Sequence, residues 1–222
     1  MKRTGIFLAI LIGCTGVART QSIKEINAPT VKDLDQVTEF HEGLAAVRKG
    51  SQWGFIDQAG KLVIEFRDDL VWSKNPEAGS NGVHGMAYPR FSEGRCPVRV
   101  FKEEEPDIPF YGFIDKAGKT VIQPDFLNVT EFHDGIALGI FFKKTFRGKN
   151  NFQLNIYDYS FTEVVINTAG EMIWPLAERE NIMMEARRYQ TPALLARILS
   201  SDLIAVETEA APRHWEIRKI KR

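Results

Sequence analysis

WGFIDQAGKLVI, from Trp53 to Ile64, returns as YGFIDKAGKTVI from Tyr111 to Ile122 and, more altered, as EVVINTAGEMIW from Glu163 to Trp174. A phrase repeated at this length is first a structural unit, because repeat chains bury their apolar faces by setting one supersecondary element against the next. In DQAGK, DKAGK and NTAGE, the side chain of Asp57, Asp115 or Asn167 can accept a hydrogen bond from the backbone two residues on. The glycine then supplies a positive φ after a type I turn, which predicts a β-hairpin. Asn167 keeps the acceptor and lacks a carboxylate, so the turn explains this position better than acid–base chemistry does.

A second element precedes each hairpin. Phe40-His41-Glu42-Gly43, Phe91-Ser92-Glu93-Gly94 and Phe132-His133-Asp134-Gly135 open onto LAAVRK, RCPVRV and IALGIF. Ala45 and Val47 align with Cys96 and Val98 and with Ala137 and Gly139, the alternate-residue face of a half-buried strand. Trp53, Phe55 and Asp57 share one face of the next strand, and Gly54 and Ile56 the other. Trp53 and Tyr111 read as core rings, with a stacking platform for a ligand as the alternative.

The F-x-E-G-L-A-x-V opening, the W/Y-G-F-I-D step and the A-G-K-x-V-I hairpin resemble the WG repeat, also called the KWG repeat. The resemblance covers about Phe40 to Leu176. It implies a bacterial, often exported protein with a binding or structural role, and it brings no catalytic residues. The third unit departs from the pattern by losing W-G.

The expected fold is mainly β, with three hairpin-containing repeats in a curved antiparallel, solenoid-like sheet and a small α+β C-terminal cap. The expected divisions are a signal peptide over 1–20, a lead-in over 21–39, the repeat region over 40–176 and the cap over 177–222. Lys2 and Arg3 precede the apolar run Ile6 to Ile12, the layout of a secretory signal. Cleavage after Ala18-Arg19-Thr20 gives a secreted or periplasmic chain starting at Gln21. Leu11-Ile12-Gly13-Cys14 offers a lipobox instead, with lipidated Cys14 as an envelope anchor and membrane contact only in that case.

Removal of residues 1–20 leaves 26 basic against 29 acidic residues, a balance that argues against nucleic-acid binding. If Cys14 is removed, Cys96 is the single thiol and no intramolecular disulfide forms. No G-x-S-x-G, H-E-x-x-H, C-x-x-C or phosphate-loop pattern occurs, so no catalytic, metal or cofactor residues are assigned. His41 and His133 form an imaginable metal pair, but their equivalent repeat positions, with Ser92 between them, explain them better.

Three insertions remain. Asp68 to Arg90 reads as a long surface loop holding a solvated His84, and Glu103 to Asp107 as a solvated acidic loop. Phe141 to Phe161, FFKKTFRGKNNFQLNIYDYSF, reads as a protruding hairpin arm. Its Lys143, Lys144, Arg147 and Lys149 are the candidate partner contacts, suited to acidic glycans or lipid headgroups. Beyond Pro175, helices are expected over Ala177–Tyr189 and from Thr191-Pro192 through Leu199, followed by two strands in LIAVETE and HWEIRKI. The function expected is a non-catalytic exported module that binds a protein or glycan at the cell envelope. The alternatives are a structural envelope lipoprotein or an unrecognised hydrolase, the last gaining weight if His41, His133 or the acidic loop line one deep pocket.

Overall fold

The computed structural model describes residues 23–208 and 211–221. The expected signal peptide, its cleavage sites and Cys14 lie outside these. Two compact units divide the chain, Met1–Thr30 and Val31–Arg222. In the first, the described residues hold one short helix, Ile23–Ile26.

The second unit is built of antiparallel strands. Strands β1 (Gln36–His41), β2 (Leu44–Lys49), β3 (Gln52–Asp57) and β4 (Leu62–Arg67) form a four-stranded meander. A six-stranded meander follows, made of β5 (Cys96–Lys102), β6 (Glu105–Ile114), β7 (Thr120–Val129), β8 (Ile136–Lys149), β9 (Asn155–Asn167) and β10 (Met172–Arg179). The C-terminal sheet contains β11 (Ala196–Ser200), β12 (Leu203–Glu207) and β13 (Trp215–Lys219).

The predicted x-A-G turns form. Asp57 Oδ1 accepts from the Ala59 and Lys61 amides at 3.0 and 2.9 Å, Asp115 from Ala117 and Lys119 at 3.0 Å each, and Asn167 from Ala169 and Glu171 at 3.0 Å each. Gly60, Gly118 and Gly170 have φ of 74, 78 and 83°. The F-x-(E/D)-G openings are tighter than the sequence indicated. Glu42, Glu93 and Asp134 have φ of 51, 52 and 53° and are each followed by a positive-φ glycine. Two successive left-handed residues give the turn that matches strand twist in a two-residue hairpin.

The glycine of the W-G step is dictated by backbone proximity. A Cβ on Gly54 would lie 2.8 Å from the Ile64 carbonyl oxygen, and one on Gly112 would lie 2.4 Å from that of Ile122. Strands β4 and β7 therefore press onto β3 and β6 where a side chain would stand. In the third unit Val164 occupies this position, fully buried opposite Gly139, where an added Cβ would meet the Phe126 ring at 2.7 Å. The small residue has moved to the partner strand.

Successive units share cores. Leu44, Ala46, Phe55 and Ile64 pack with Phe91, Cys96, Val98 and Ile114. Phe113, Ile122 and Phe126 pack likewise with Phe132, Ala137 and Ile166. Ile136, Leu138 and Val165 pack with Ala196, Ile204 and Val206 of the C-terminal sheet and with Ile220 just past its last strand. The opening phenylalanine of one unit meets the W-G-F phenylalanine of the unit before: Phe55–Phe91 and Phe113–Phe132 both have centroids 4.9 Å apart in edge-on geometry.

Two expectations are corrected. The helices over Ala177–Tyr189 and from Thr191 to Leu199 do not form; β10 continues to Arg179 and β11 occupies Ala196–Ser200. Between these strands, residues with good helix propensity are held in irregular backbone with a single turn at Glu185–Arg188, because their apolar side chains are committed elsewhere. Ile182, Met184, Tyr189 and Leu194 pack on the cluster of Ile108, Phe110, Leu127, Ile140 and Phe161, and tertiary burial overrides local preference. The Asp68–Arg90 segment is not simply a surface loop. Leu70, Val71 and Val83 are buried, and Leu70 bridges Val98 at the edge of β5.

Candidate functional site

The openings of the three units point into one cleft of about 660 Å³. His41, Ser92 and His133, the second residues of the three openings, all line it, together with Arg90, Glu131 and Arg197. The Gly79–Gly85 segment and Met86 to Tyr88 close one side. Buried Asn128 fixes that segment: its Oδ1 accepts from the Val83 amide at 3.0 Å, and its Nδ2 donates to the Pro192 carbonyl at 2.8 Å. A volume of this size lies within the range of about 300–1,000 Å³ typical of small-ligand sites.

The cleft holds its polar groups in definite roles. Arg90 grips Glu131 through both guanidinium edges, with Nε to Oε1 at 2.6 Å. Ser92 Oγ donates to the Phe132 carbonyl at 2.6 Å, linking neighbouring openings. His133 lies 3.6 Å from Asp134. His41 and His133 thus share one cleft, but among the described residues no group of three or more His, Cys, Asp or Glu side chains is placed to hold a metal ion.

Beside the cleft, carboxylates tie each opening turn to the next. Glu42 accepts from the Glu93 and Gly94 amides, and Glu93 accepts from the Gly135 amide at 2.8 and 3.0 Å. Burial opposes ionisation of Glu42, yet the two amides and the Lys116 ammonium, 3.1 Å away, outweigh it and hold the carboxyl below its usual range. Another recurring support is Thr38 Oγ1 accepting from the Ala46 amide, matched by Thr130 Oγ1 and Leu138, both at 2.9 Å. The recurrence of T-E-F-H-(E/D)-G at Thr38 and Thr130 carried that signal in the sequence.

Trp53 and Tyr111 take the core reading, not the platform alternative. Trp53 is fully buried, edge-on to Trp72 at 5.7 Å, with the Arg48 guanidinium 5.9 Å from its ring centroid. Tyr111 is also buried, in the core between the second and third units. Neither ring face is offered to a ligand. Cys96 is inaccessible too, and burial pushes its thiol far above the ordinary range.

The arm exists as β8 and β9, paired from Ile136–Asn167 out to Lys149–Asn155. Its four cations are not equivalent. Lys143 and Lys149 are exposed. Arg147 pairs with Asp158 at 3.1 Å. Lys144 is committed to a neighbouring strand, bonded to Glu105 at 2.7 Å and 4.5 Å from the Tyr157 ring centroid; the Glu105 bond raises its pKa. Glu105 of the acidic run is therefore an anchor for the arm.

Glu163 was not visible as a key position in the sequence. It is 1% exposed, accepts from the Leu195 and Ala196 amides at 2.9 Å each, and pairs with Arg179 at 2.8 Å.

Fold and site together define a mainly β hairpin-repeat protein whose units are joined through shared cores and turn-to-turn carboxylates. The family model for the WG containing repeat matches residues 33–53, 53–67 and 111–138. The chain is a WG repeat-containing protein. No curated protein and no solved structure matches it.

Proposed function

We propose that this repeat module is an exported, non-catalytic binding protein of the cell envelope, and that its cleft receives a segment of a protein or glycan. The observation that carries the reading is the convergence of His41, Ser92 and His133, one from each unit, on a single cleft of about 660 Å³. Two imidazoles and the Arg197 guanidinium offer donors, while the flanking β-hairpins hold them in place. Such preorganisation lowers the ordering cost of binding. The non-catalytic reading is supported by the commitments of the reactive candidates: Ser92 Oγ is bonded to a carbonyl and Glu131 is locked to Arg90. Export is supported by the charged and apolar layout of the first twenty residues.

The test is calorimetric titration of soluble envelope glycan fragments and cell-wall peptides against the chain and a His41→Ala/His133→Ala variant. Binding weakened about tenfold by the substitutions, equivalent to about 1.4 kcal/mol, is the expected result, with the urea midpoint unchanged. A ligand bound equally well by both chains would remove the cleft from the binding surface.

A further inference from the structure

The β8–β9 arm exposes apolar side chains along its length, most of all at its tip. At the tip, Phe152 is 83% exposed and Leu154 63%; Phe146 and Ile156 follow at 55 and 45%, then Tyr159 and Tyr157 at 42 and 36%. Lys143, Arg147 and Lys149 are exposed along the same ribbon. From Phe141 to Phe161 there are four cations and one acid, Asp158, a formal charge of +3 in a chain whose total is zero. The arm therefore concentrates positive charge that the rest of the chain offsets.

The tip is an ordered display. Asn150 Oδ1 accepts from the Phe152 and Leu154 amides at 2.9 and 3.0 Å, and the Asn150 amide donates to the Leu154 carbonyl at 2.9 Å. This is the same turn that Asp57, Asp115 and Asn167 make in the repeats. The repeats place Ala59, Ala117 and Ala169 at its third position and glycine at its fourth. Here the third residue is Phe152, and the fourth is Gln153 at φ 63°. A turn that elsewhere carries the residues it needs locally carries instead a large apolar side chain aimed at solvent, beside a non-glycine left-handed residue.

We propose that this tip is a membrane-docking element that inserts into an anionic lipid surface. Phe152 and Leu154 enter the boundary between headgroups and acyl chains, an insertion of about 5–10 Å for interfacial elements. Lys149, beside the tip, meets lipid phosphates, joined by Arg147 as phosphate competes with its exposed partner Asp158, while Lys143 farther up the ribbon adds longer-range attraction. Tyr157 and Tyr159, set back from the tip, lie at headgroup level, where amphipathic rings are favoured. The Asn150 turn satisfies the amides of the two inserted residues internally, which entry into an apolar phase requires. Net positive charge selects an anionic bilayer over a neutral one, and the apolar tip distinguishes insertion from charge contact alone.

The experiment uses the exported chain from Gln21, which carries neither Cys14 nor the apolar run Ile6 to Ile12, with vesicles of phosphatidylcholine alone or mixed equally with phosphatidylglycerol. Cosedimentation with the anionic vesicles only, weakened at least tenfold by Phe152→Ser/Leu154→Ser, is the expected result. Phe152→Trp should add a blue-shifted emission component, quenched by brominated acyl chains, when those vesicles are present. Absence of partitioning overturns the proposal. So does partitioning that the two serines leave unchanged, which would reduce the arm to an electrostatic contact. Both side chains stand in solvent, so an unchanged urea midpoint verifies folding. The His41→Ala/His133→Ala variant should partition like its parent, and the lipid and cleft readings therefore fail separately.

Discussion

Alanine is too large for Gly112. Its Cβ would stand 2.4 Å from the Ile122 carbonyl oxygen, and that oxygen belongs to a paired strand. Gly112→Ala should cost about 2 kcal/mol or more, seen as a lower urea midpoint, in the range typical of overpacking. Gly60→Val and Gly118→Val should also destabilise, by at least the roughly 1–2 kcal/mol penalty of a left-handed L-residue. A thiol reagent should leave Cys96 unlabelled in the folded chain and react once urea unfolds it, since the side chain is wholly buried. Glu42 links stability to pH. Its carboxyl ionises more readily when folded than when unfolded, so its stabilisation is present above the ordinary carboxylate range and lost as pH falls through the depressed value. The difference in urea midpoint between the chain and Glu42→Gln should therefore shrink on acidification. A constant difference would mean that the carboxylate charge does not support the turn.

Among the elements, the hairpins and the two C-terminal strands in LIAVETE and HWEIRKI were readable, and residues 177–199 were not. The D-x-A-G-K turns depend on neighbours within five residues, so Asp57, Asp115 and Asn167 announced them locally. The arm was readable for the same reason: apolar runs flank a polar turn. Residues 177–199 follow a different logic. Their conformation is set by Glu163, more than thirty residues before the amides of Leu195 and Ala196 that it accepts, and no local pattern reports such a partner. The cleft was half legible: the equivalence of His41, Ser92 and His133 was plain, but their convergence depends on how the units pack. Glu163→Ala should lower stability by about 3–5 kcal/mol, the cost of breaking a buried charge pair, and a urea titration would measure it. By contrast, replacing Lys143 through Ser160 with a two-residue turn should leave the midpoint of the body nearly unchanged, because most of this ribbon contacts solvent.

For the whole molecule, the carboxylate links between opening turns have a direction. Glu42 serves the turn at Gly94, Glu93 serves the turn at Gly135, and among the described residues no carboxylate serves the Gly43 amide. Phe40 follows the same order: its ring is 48% exposed, whereas Phe91 and Phe132 are each 2% exposed against the preceding unit. The assembly resembles a row of leaning books in which every volume but the first is propped by the one before. Loosening should therefore begin at the first opening and travel onward, and native-state amide exchange should be fastest at Gly43 and slower at Gly94 and Gly135. Removing the Glu93 carboxylate should hasten exchange at Gly135 while leaving Gly94 as it was, because the prop works one way.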